Sequence, residues 1–285
     1  MSFVLILYFS GNSQFLAEKF KLSITSLLQN ELASSIWITG NKDQLNAAIN
    51  YVESDSFISK RLQPSWVLEK SDLNGDRINA ALDTIKTERL PGSLPAKLIF
   101  LRIGDYLHPN FFTEASKALN NLNLNQDPAS KFFLMGTSLH TSGKTQSYTA
   151  EQTLKIRQDK ANFWSMITNP KYLSLSIPFF WDIDLILKYN IRFNLELKDF
   201  NLQFAKFNLD NLLLASKLNS YIYPQPVFNP SIIYISKEAL IEDQYLSVEE
   251  IPSWKSILFT KSEDLQNISG LNWAWRSIQI RLIQL

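Results

Sequence analysis

Residues 96–119, AKLIFLRIGDYLHPNFFTEASKAL, carry more structural information than any other stretch of the chain. The apolar run at 98–101 predicts a buried strand, and Gly104-Asp105 marks a turn directly after it. His108-Pro109-Asn110 then opens an amphipathic helix. The stretch therefore predicts a strand, a turn and a helix in succession.

The same alternation of strand and helix runs through the amino-terminal half. Apolar runs predict strands at 4–9, 35–39 and 66–68, and helical spacing predicts helices at 14–28, 44–52 and 76–87. This order predicts an α/β fold with a mostly parallel central sheet flanked by helices. Further along, strands are predicted at 131–136 and 232–235 and a helix at 151–167. Residues 137–149 are rich in Ser and Thr and predict a mobile loop, which would act as a lid over a bound donor if it borders the site.

Composition excludes several classes of function. The 285 residues include 28 basic and 27 acidic ones, and this balance argues against a nucleic-acid partner. Cysteine is absent, which removes disulfides and thiolate metal sites. The apolar run at 4–9 has no basic leader before it and is too short to span a bilayer, so we predict a cytoplasmic protein without a transmembrane segment.

The turn after the 98–101 strand resembles the centre of glycosyltransferases with the GT-A fold. That family usually has a strand followed by Asp-x-Asp-Asp-Tyr-Leu-x-Pro-x-Phe. Here the last acidic position is kept as Asp105, and the first two are Arg102 and Gly104. The segment at 76–85 before it resembles the family's helix with Gly-x-x-x-Ala-x-Asn.

Two earlier places resemble the same family in the same order. Residues 4–12 are similar to its opening strand, turn and helix start. Residues 36–43 are similar to its second strand and Asp-Asp-Gly-Ser-x-Asp turn, with Gly40 and Asp43 matching and Ile38 and Thr39 at the two acidic positions. The resemblance implies one GT-A-like domain over residues 1–285, with a nucleotide-binding half at 1–120 and an elaborated acceptor-side half at 121–285.

The function that this resemblance implies is the transfer of a sugar from a nucleotide-sugar donor to a carbohydrate acceptor of unknown identity. It assigns donor binding to five residues near the ends of the predicted strands, namely Ser10, Thr39, Asn41, Arg102 and Asp105. The alternative is a non-catalytic protein of the same fold that binds a sugar, a nucleotide or a protein partner.

The altered acidic positions decide whether the turn after the 98–101 strand can bind a metal ion. Mg²⁺ and Mn²⁺ need carboxylate ligands, and Arg102 cannot supply one. Its guanidinium could instead contact the donor diphosphate directly, which predicts a metal-independent transferase. The competing interpretation is an ion pair between Arg102 and Asp105 or Asp76. No residue is assigned to a metal, and Mg²⁺ or Mn²⁺ stays open as a cofactor.

An inverting transferase needs a carboxylate that takes the proton of the acceptor hydroxyl. Two carboxylates near predicted helix starts are candidates, Asp264 and Asp184. Asp264 follows residues 230–239, which resemble the family's acceptor-side strand, so chain position favours it. Residues 270–276 are another candidate for the helix that carries the base, with Asn272 where the family expects an acid. For each carboxylate the alternative is a solvated helix start.

Overall fold

A computed structural model gives the fold of a defined part of the chain. It describes residues 2–10, 15–30, 34–90, 93, 96–107, 109–113, 116, 133–135, 137–140, 179–197, 200, 203–204, 206–208, 210–211, 222–226 and 232–235. The predicted helix at 151–167 and the candidates Asp264, Asn272 and His108 lie outside these residues.

The larger sheet has seven strands in the order β3-β2-β1-β4-β8-β6-β9. They are β1 (Ser2–Tyr8), β2 (Ser34–Gly40), β3 (Ser65–Leu68), β4 (Ala96–Arg102), β6 (Phe133–Met135), β8 (Phe179–Asp182) and β9 (Ile222–Pro226). Within this sheet β8 runs antiparallel to both of its neighbours, and the other described pairs are parallel. The prediction of a mostly parallel α/β sheet is confirmed.

The register aligns the ends of the first strands. Tyr8 of β1 lies opposite Thr39 of β2 on one side and Arg102 of β4 on the other. Thr39 in turn lies opposite Val67 of β3. Because these strands are parallel, the segments that follow them emerge at one edge of the sheet, which we call the carboxyl edge. It comprises residues 9–10, 40–41, 69–72 and 102–105.

Two helices cover one face of this sheet. They are α1 (Ala17–Gln29) and α2 (Lys42–Ser54), followed by the short helix α3 (Ser56–Arg61). Phe20, Ile24 and Leu45 from these helices enter one buried cluster with Leu5 and Leu7 of β1. Burying this apolar surface is the main favourable term in folding, and it fixes α1 and α2 beside the ends of β1 and β2.

The opposite face of the sheet is covered by α4 (Asn74–Glu88), which packs against β1, β2 and β3. Beside it, Phe100 of β4 lies among the rings of Phe193, Phe204 and Phe207, with ring centroids 5.5–5.7 Å from its own. Edge-on contacts of this kind add to the stabilisation from area burial. The helix α5 (Ile183–Lys188) follows β8 and contacts β4.

A smaller sheet has the order β5-β10-β7, with β5 (Tyr106–Leu107), β7 (Thr137–His140) and β10 (Ile232–Ile235). β10 confirms the strand predicted at 232–235. The prediction of a mobile loop at 137–149 is wrong for 137–140, because the backbone of these residues pairs with β10 in parallel register. Backbone pairing satisfies the polar groups of the main chain and orders this strand, in which Leu139 is the one apolar residue. Residues 141–149 lie outside the described part of the chain.

None of the helices in the described ranges is long and apolar enough to cross a membrane. The cytoplasmic location stays a prediction, as does the division into halves at 1–120 and 121–285.

Candidate functional site

The candidate site lies at the carboxyl edge between β1 and β4. The chain places β2 and β3 on one side of β1 and then returns to place β4 on the other side. In open α/β sheets, ligands bind outside the carboxyl ends of the strands at such a switch of direction. Ser10, two residues beyond Tyr8, and the segment after Arg102 flank this point.

The turn after β4 brings two of the predicted donor-binding residues together. Nη2 of Arg102 lies 3.3 Å from Oδ1 of Asp105, and the two side chains are 12% and 10% exposed. The Asp105 amide donates to the Arg102 carbonyl at 3.0 Å, which closes the turn. Gly104 has a φ of +107°, a conformation that side-chain-bearing residues rarely adopt. The turn geometry therefore explains the glycine at the second acidic position.

Side chains of helix α1 hold this turn in place through hydrogen bonds to its backbone. The hydroxyl of the buried Ser23 donates to the Asp105 carbonyl at 2.6 Å and accepts from the Gly104 amide at 2.9 Å. Ser26 accepts from the Leu107 amide at 3.1 Å. Buried backbone groups need such partners, so the position of residues 104–107 is fixed by side chains of α1.

The residues present do not fit a divalent cation at the acidic positions of the turn. The first position holds the Arg102 cation, the second has no side chain at Gly104, and the carboxylate of Asp105 already pairs with Arg102. Divalent Mg²⁺ and Mn²⁺ need several oxygen ligands. Among the described residues, no group of three or more His, Cys, Asp or Glu side chains is arranged to hold a metal ion.

The two candidates after β2 have structural partners. Thr39 is fully buried, and its hydroxyl donates to the Arg77 carbonyl of α4 at 3.2 Å. Asn41 caps α2, accepting from the Gln44 amide at 3.0 Å, while the Gln44 side chain accepts from the Asn41 amide at 3.0 Å. This reciprocal arrangement is a capping box. Thr39 presents no surface to a donor, whereas Asn41 remains partly exposed at the carboxyl edge.

The structure does not bring Asp184 to this edge. It lies in α5 and pairs with Arg89, with Nε of Arg89 2.6 Å from Oδ1. β8 pairs with the beginning of β4, Asp182 lying opposite Lys97, so α5 starts at the amino edge of the sheet. Arg102 lies five residue steps along the strand from Lys97, a distance of about 16 Å. The placement of Asp184 gives no support to its predicted role as base.

Sequence reasoning missed Arg77, whose side chain is fully buried next to the carboxyl edge. Its Nη1 donates to the Phe9 carbonyl at 2.7 Å, directly after β1. Burial lowers the pKa of the guanidinium below its ordinary value, and the nearby Asp72 and Glu69 carboxylates oppose that shift. The available signal was a charged residue on the apolar face of α4, at helical spacing from Ala81 and Ile85.

Comparisons of sequence find no counterpart for this chain: no model of a protein family matches it, and neither does any curated protein. Comparison of structures does find similar folds. The S. aureus protein TarS, as fragment 1–349 in complex with UDP, is 15% identical with a TM-score of 0.57, covering 98% of this chain and 69% of that one. A second structure of fragment 1–349 is 14% identical with a TM-score of 0.54, covering 92% and 66%.

A longer structure of S. aureus TarS is 16% identical with a TM-score of 0.51, and the match covers 95% of this chain but 45% of that one. The chain thus spans from under half to about two thirds of the length of these structures. These neighbours are glycosyltransferases of the GT-A type. At such low identity the likeness shows the fold, and the expected GT-A-like α/β architecture is confirmed.

Proposed function

We propose that this protein binds a nucleotide sugar at the carboxyl edge and transfers the sugar to a carbohydrate acceptor without a metal at the acidic positions of the fold. The observation that carries the proposal is the Arg102 guanidinium, held by Asp105 at the switch between β1 and β4. The complex of TarS with UDP supports a nucleoside diphosphate as the part of the donor to test first.

The proposed chemistry follows from charge. When the acceptor hydroxyl attacks the anomeric carbon of the donor, the bond from that carbon to the diphosphate oxygen breaks, and negative charge grows on the leaving diphosphate. A guanidinium fixed beside the departing oxygens stabilises that charge and presents several N–H donors in one plane. In this proposal Arg102 takes this role, Asp105 orients it, and Ser10 and Asn41 contact other parts of the donor.

The base that accepts the hydroxyl proton is proposed to be Asp264, because its place after 230–239 favours it and because Asp184 pairs with Arg89 at the amino edge. The nucleoside diphosphate and the glycosylated acceptor are the two products. In this proposal the reaction needs no metal ion, because the Arg102 guanidinium supplies the positive charge that a bound metal ion would supply.

A second candidate function is the binding of a nucleotide or sugar without transfer. The observation that favours it is the same ion pair, because Asp105 neutralises Arg102 and both side chains are largely buried. A diphosphate would have to share the guanidinium with that carboxylate. The two candidates predict the same ligand at the same edge, and they differ in whether the bond to the sugar is broken.

Ligand-dependent unfolding tests the proposal. The full chain is heated with UDP-, GDP- and CMP-linked sugars, each with EDTA and with Mn²⁺, and the melting temperature is compared with that of the free protein. At a concentration of about 100 times Kd, a ligand of the folded state adds roughly 2.7 kcal/mol of stability. We expect one donor class to raise the melting temperature equally in EDTA and in Mn²⁺. No shift with any nucleotide sugar would refute the proposed transfer and would refute the second candidate for a nucleotide ligand.

A further inference from the structure

The starting observation is how the buried Arg77 side chain joins separate parts of the carboxyl edge. Its Nη1 donates to the Phe9 carbonyl at 2.7 Å, and its Nε donates to the Ser71 carbonyl at 3.0 Å. Nη2 lies 3.5 Å from Oδ1 of Asp72, which is half exposed. One guanidinium therefore links the end of β1 to residues 69–73, the β3–α4 loop.

The backbone of Arg77 extends this linkage to β2, because its carbonyl accepts from the Thr39 hydroxyl at 3.2 Å. Next to it along β2, the Gly40 carbonyl accepts from the Glu69 amide at 3.1 Å. The ends of three strands are thus connected through one residue of α4 and the loop that leads into it. Such a network behaves as a unit, since each hydrogen bond limits the positions that the others can take.

The β3–α4 loop is ordered around Ser71. Its amide donates to Oε1 of Glu69 at 3.0 Å, and its hydroxyl donates to the Asp76 carboxylate. The same hydroxyl accepts from the Leu73 amide at 3.1 Å. Together with the bond from Arg77 to the Ser71 carbonyl, every polar group of Ser71 is engaged within this loop and the start of α4.

Stability alone is a weak reason to bury a guanidinium. Removing a cation from water is unfavourable, and the pKa of Arg77 stays lowered although the Asp72 and Glu69 carboxylates oppose that shift. Two of the acceptors of Arg77 are backbone carbonyls at the edge where ligands bind in this type of sheet. The buried Arg77 side chain therefore fixes the shape of the carboxyl edge at a cost in stability.

We propose that Arg77 is a positioning residue for the nucleotide, and that it sets the β3–α4 loop as one wall of the binding site. The side chain is fully buried and cannot touch the ligand itself. Its effect passes through the Phe9 carbonyl, through Ser71 and through the carboxylate of Asp72, which faces solvent beside the loop. This inference rests on the proposed function for its ligand, a nucleoside diphosphate.

The experiment compares four variants of the full chain. Arg77→Met keeps the length of the side chain and removes its charge and donors, and Arg77→Lys keeps the charge with a different donor geometry. Ser71→Ala removes the hydroxyl that bonds to Asp76 and Leu73, at a partly exposed position. It tests the same loop if the substitutions of the buried Arg77 prevent folding. Arg192→Met is the matched control, because Arg192 also forms an ion pair with a residue of α4, Asp83, at 2.7 Å, away from the carboxyl edge.

Two readouts are taken. The first is the dissociation constant for UDP by calorimetry, and the second is hydrogen exchange of the Ser71 and Leu73 amides in the ligand-free protein. We expect Arg77→Met and Ser71→Ala to bind UDP about tenfold more weakly, with Arg77→Lys between them and the wild type, because each loses hydrogen bonds to fixed groups of the loop. The Ser71 and Leu73 amides should also exchange faster in Arg77→Met and in Ser71→Ala. Arg192→Met should change neither the UDP affinity nor the exchange rates.

The outcomes separate the inference from the proposed function. If the wild type does not bind UDP but Arg77→Met and Ser71→Ala still speed the exchange of the loop amides, the loop is held as described, and the assignment of UDP to it is refuted. Suppose instead that the wild type binds UDP. If Ser71→Ala and every folded Arg77 variant then bind UDP as tightly as the wild type does, Arg77 is not a positioning residue. Unchanged exchange in Ser71→Ala and in a folded Arg77→Met variant overturns the inference whatever the ligand result.

Discussion

Arg102 and Asp105 form an ion pair across a four-residue turn, with 3.3 Å between Nη2 and Oδ1, at the point where β4 ends beside β1. The third residue of the turn, Gly104, has a φ of +107°, and its amide donates to the Ser23 hydroxyl of α1. The pair is therefore placed by the backbone and by α1. The Arg102 cation and its Asp105 partner thus occupy the turn in which glycosyltransferases of the GT-A fold usually have several carboxylates.

The backbone at Gly104 should tolerate no side chain without a loss of stability. We expect Gly104→Ala to lower the free energy of unfolding by roughly 1–3 kcal/mol, the usual cost of a strained conformation. A Cβ there would meet Lys19 Cδ at 3.4 Å, an ordinary contact, so the cost comes from the backbone. Urea unfolding measures it. Gly104→Asp should cost about as much, and an unchanged midpoint for both would show that the turn is not constrained.

Asn41 has two assignments, donor binding from sequence and helix capping from structure. Asn41→Ala removes the cap of α2 and should cost about 1 kcal/mol in urea unfolding. Asn46→Ala, at an exposed interior position of the same helix, is the matched control and should not destabilise the protein. UDP affinity then separates the assignments. If Asn41 contacts the donor, Asn41→Ala also weakens UDP binding and Asn46→Ala does not.

Lys206 and Asp210 form an ion pair four residues apart, and both side chains are buried, at 5% and 9% exposure. Removing one partner leaves the other charge buried, so Asp210→Ala should cost about 3–5 kcal/mol. Replacing both together, as Lys206→Met with Asp210→Leu, should restore most of that stability, because the desolvation cost of the two ions disappears. Thermal unfolding of the two variants measures this. A double variant less stable than Asp210→Ala would contradict it.

Much of the amino-terminal fold is predictable from sequence. The apolar runs of β1, β2 and β4 are short, rich in large aliphatic residues and followed by turns or helix caps, so the strands follow from local pattern. Their parallel order follows from the helices that alternate with them along the chain. The short helix α3 was not predicted, because six residues are too few to establish a helical period. β7 was not predicted because its order comes from pairing with the distant β10.

The candidate site was predictable where it depends on strand ends, and not where it depends on long-range contacts. Arg102 and Asp105 come from one turn, and their pairing was among the sequence-based alternatives. The position of Asp184 depends on β8 running antiparallel to β4, and a strand's direction in a sheet is not encoded in its local pattern. Arg77 was missed because its acceptors lie 6 and 68 residues away, at Ser71 and Phe9.

The release of nucleoside diphosphate from the donor that binds tests the central claim most directly. It is measured with wild type, Arg102→Ala and the control Arg192→Ala, each in EDTA and in Mn²⁺. We predict release that is the same in EDTA and in Mn²⁺, unchanged in Arg192→Ala, and about a hundredfold slower in Arg102→Ala, which corresponds to roughly 3 kcal/mol of lost stabilisation of the departing diphosphate. Binding of the donor without any release under either condition would favour the non-catalytic function. Release that requires Mn²⁺, or that proceeds at the wild-type rate in Arg102→Ala, would contradict the role given to Arg102.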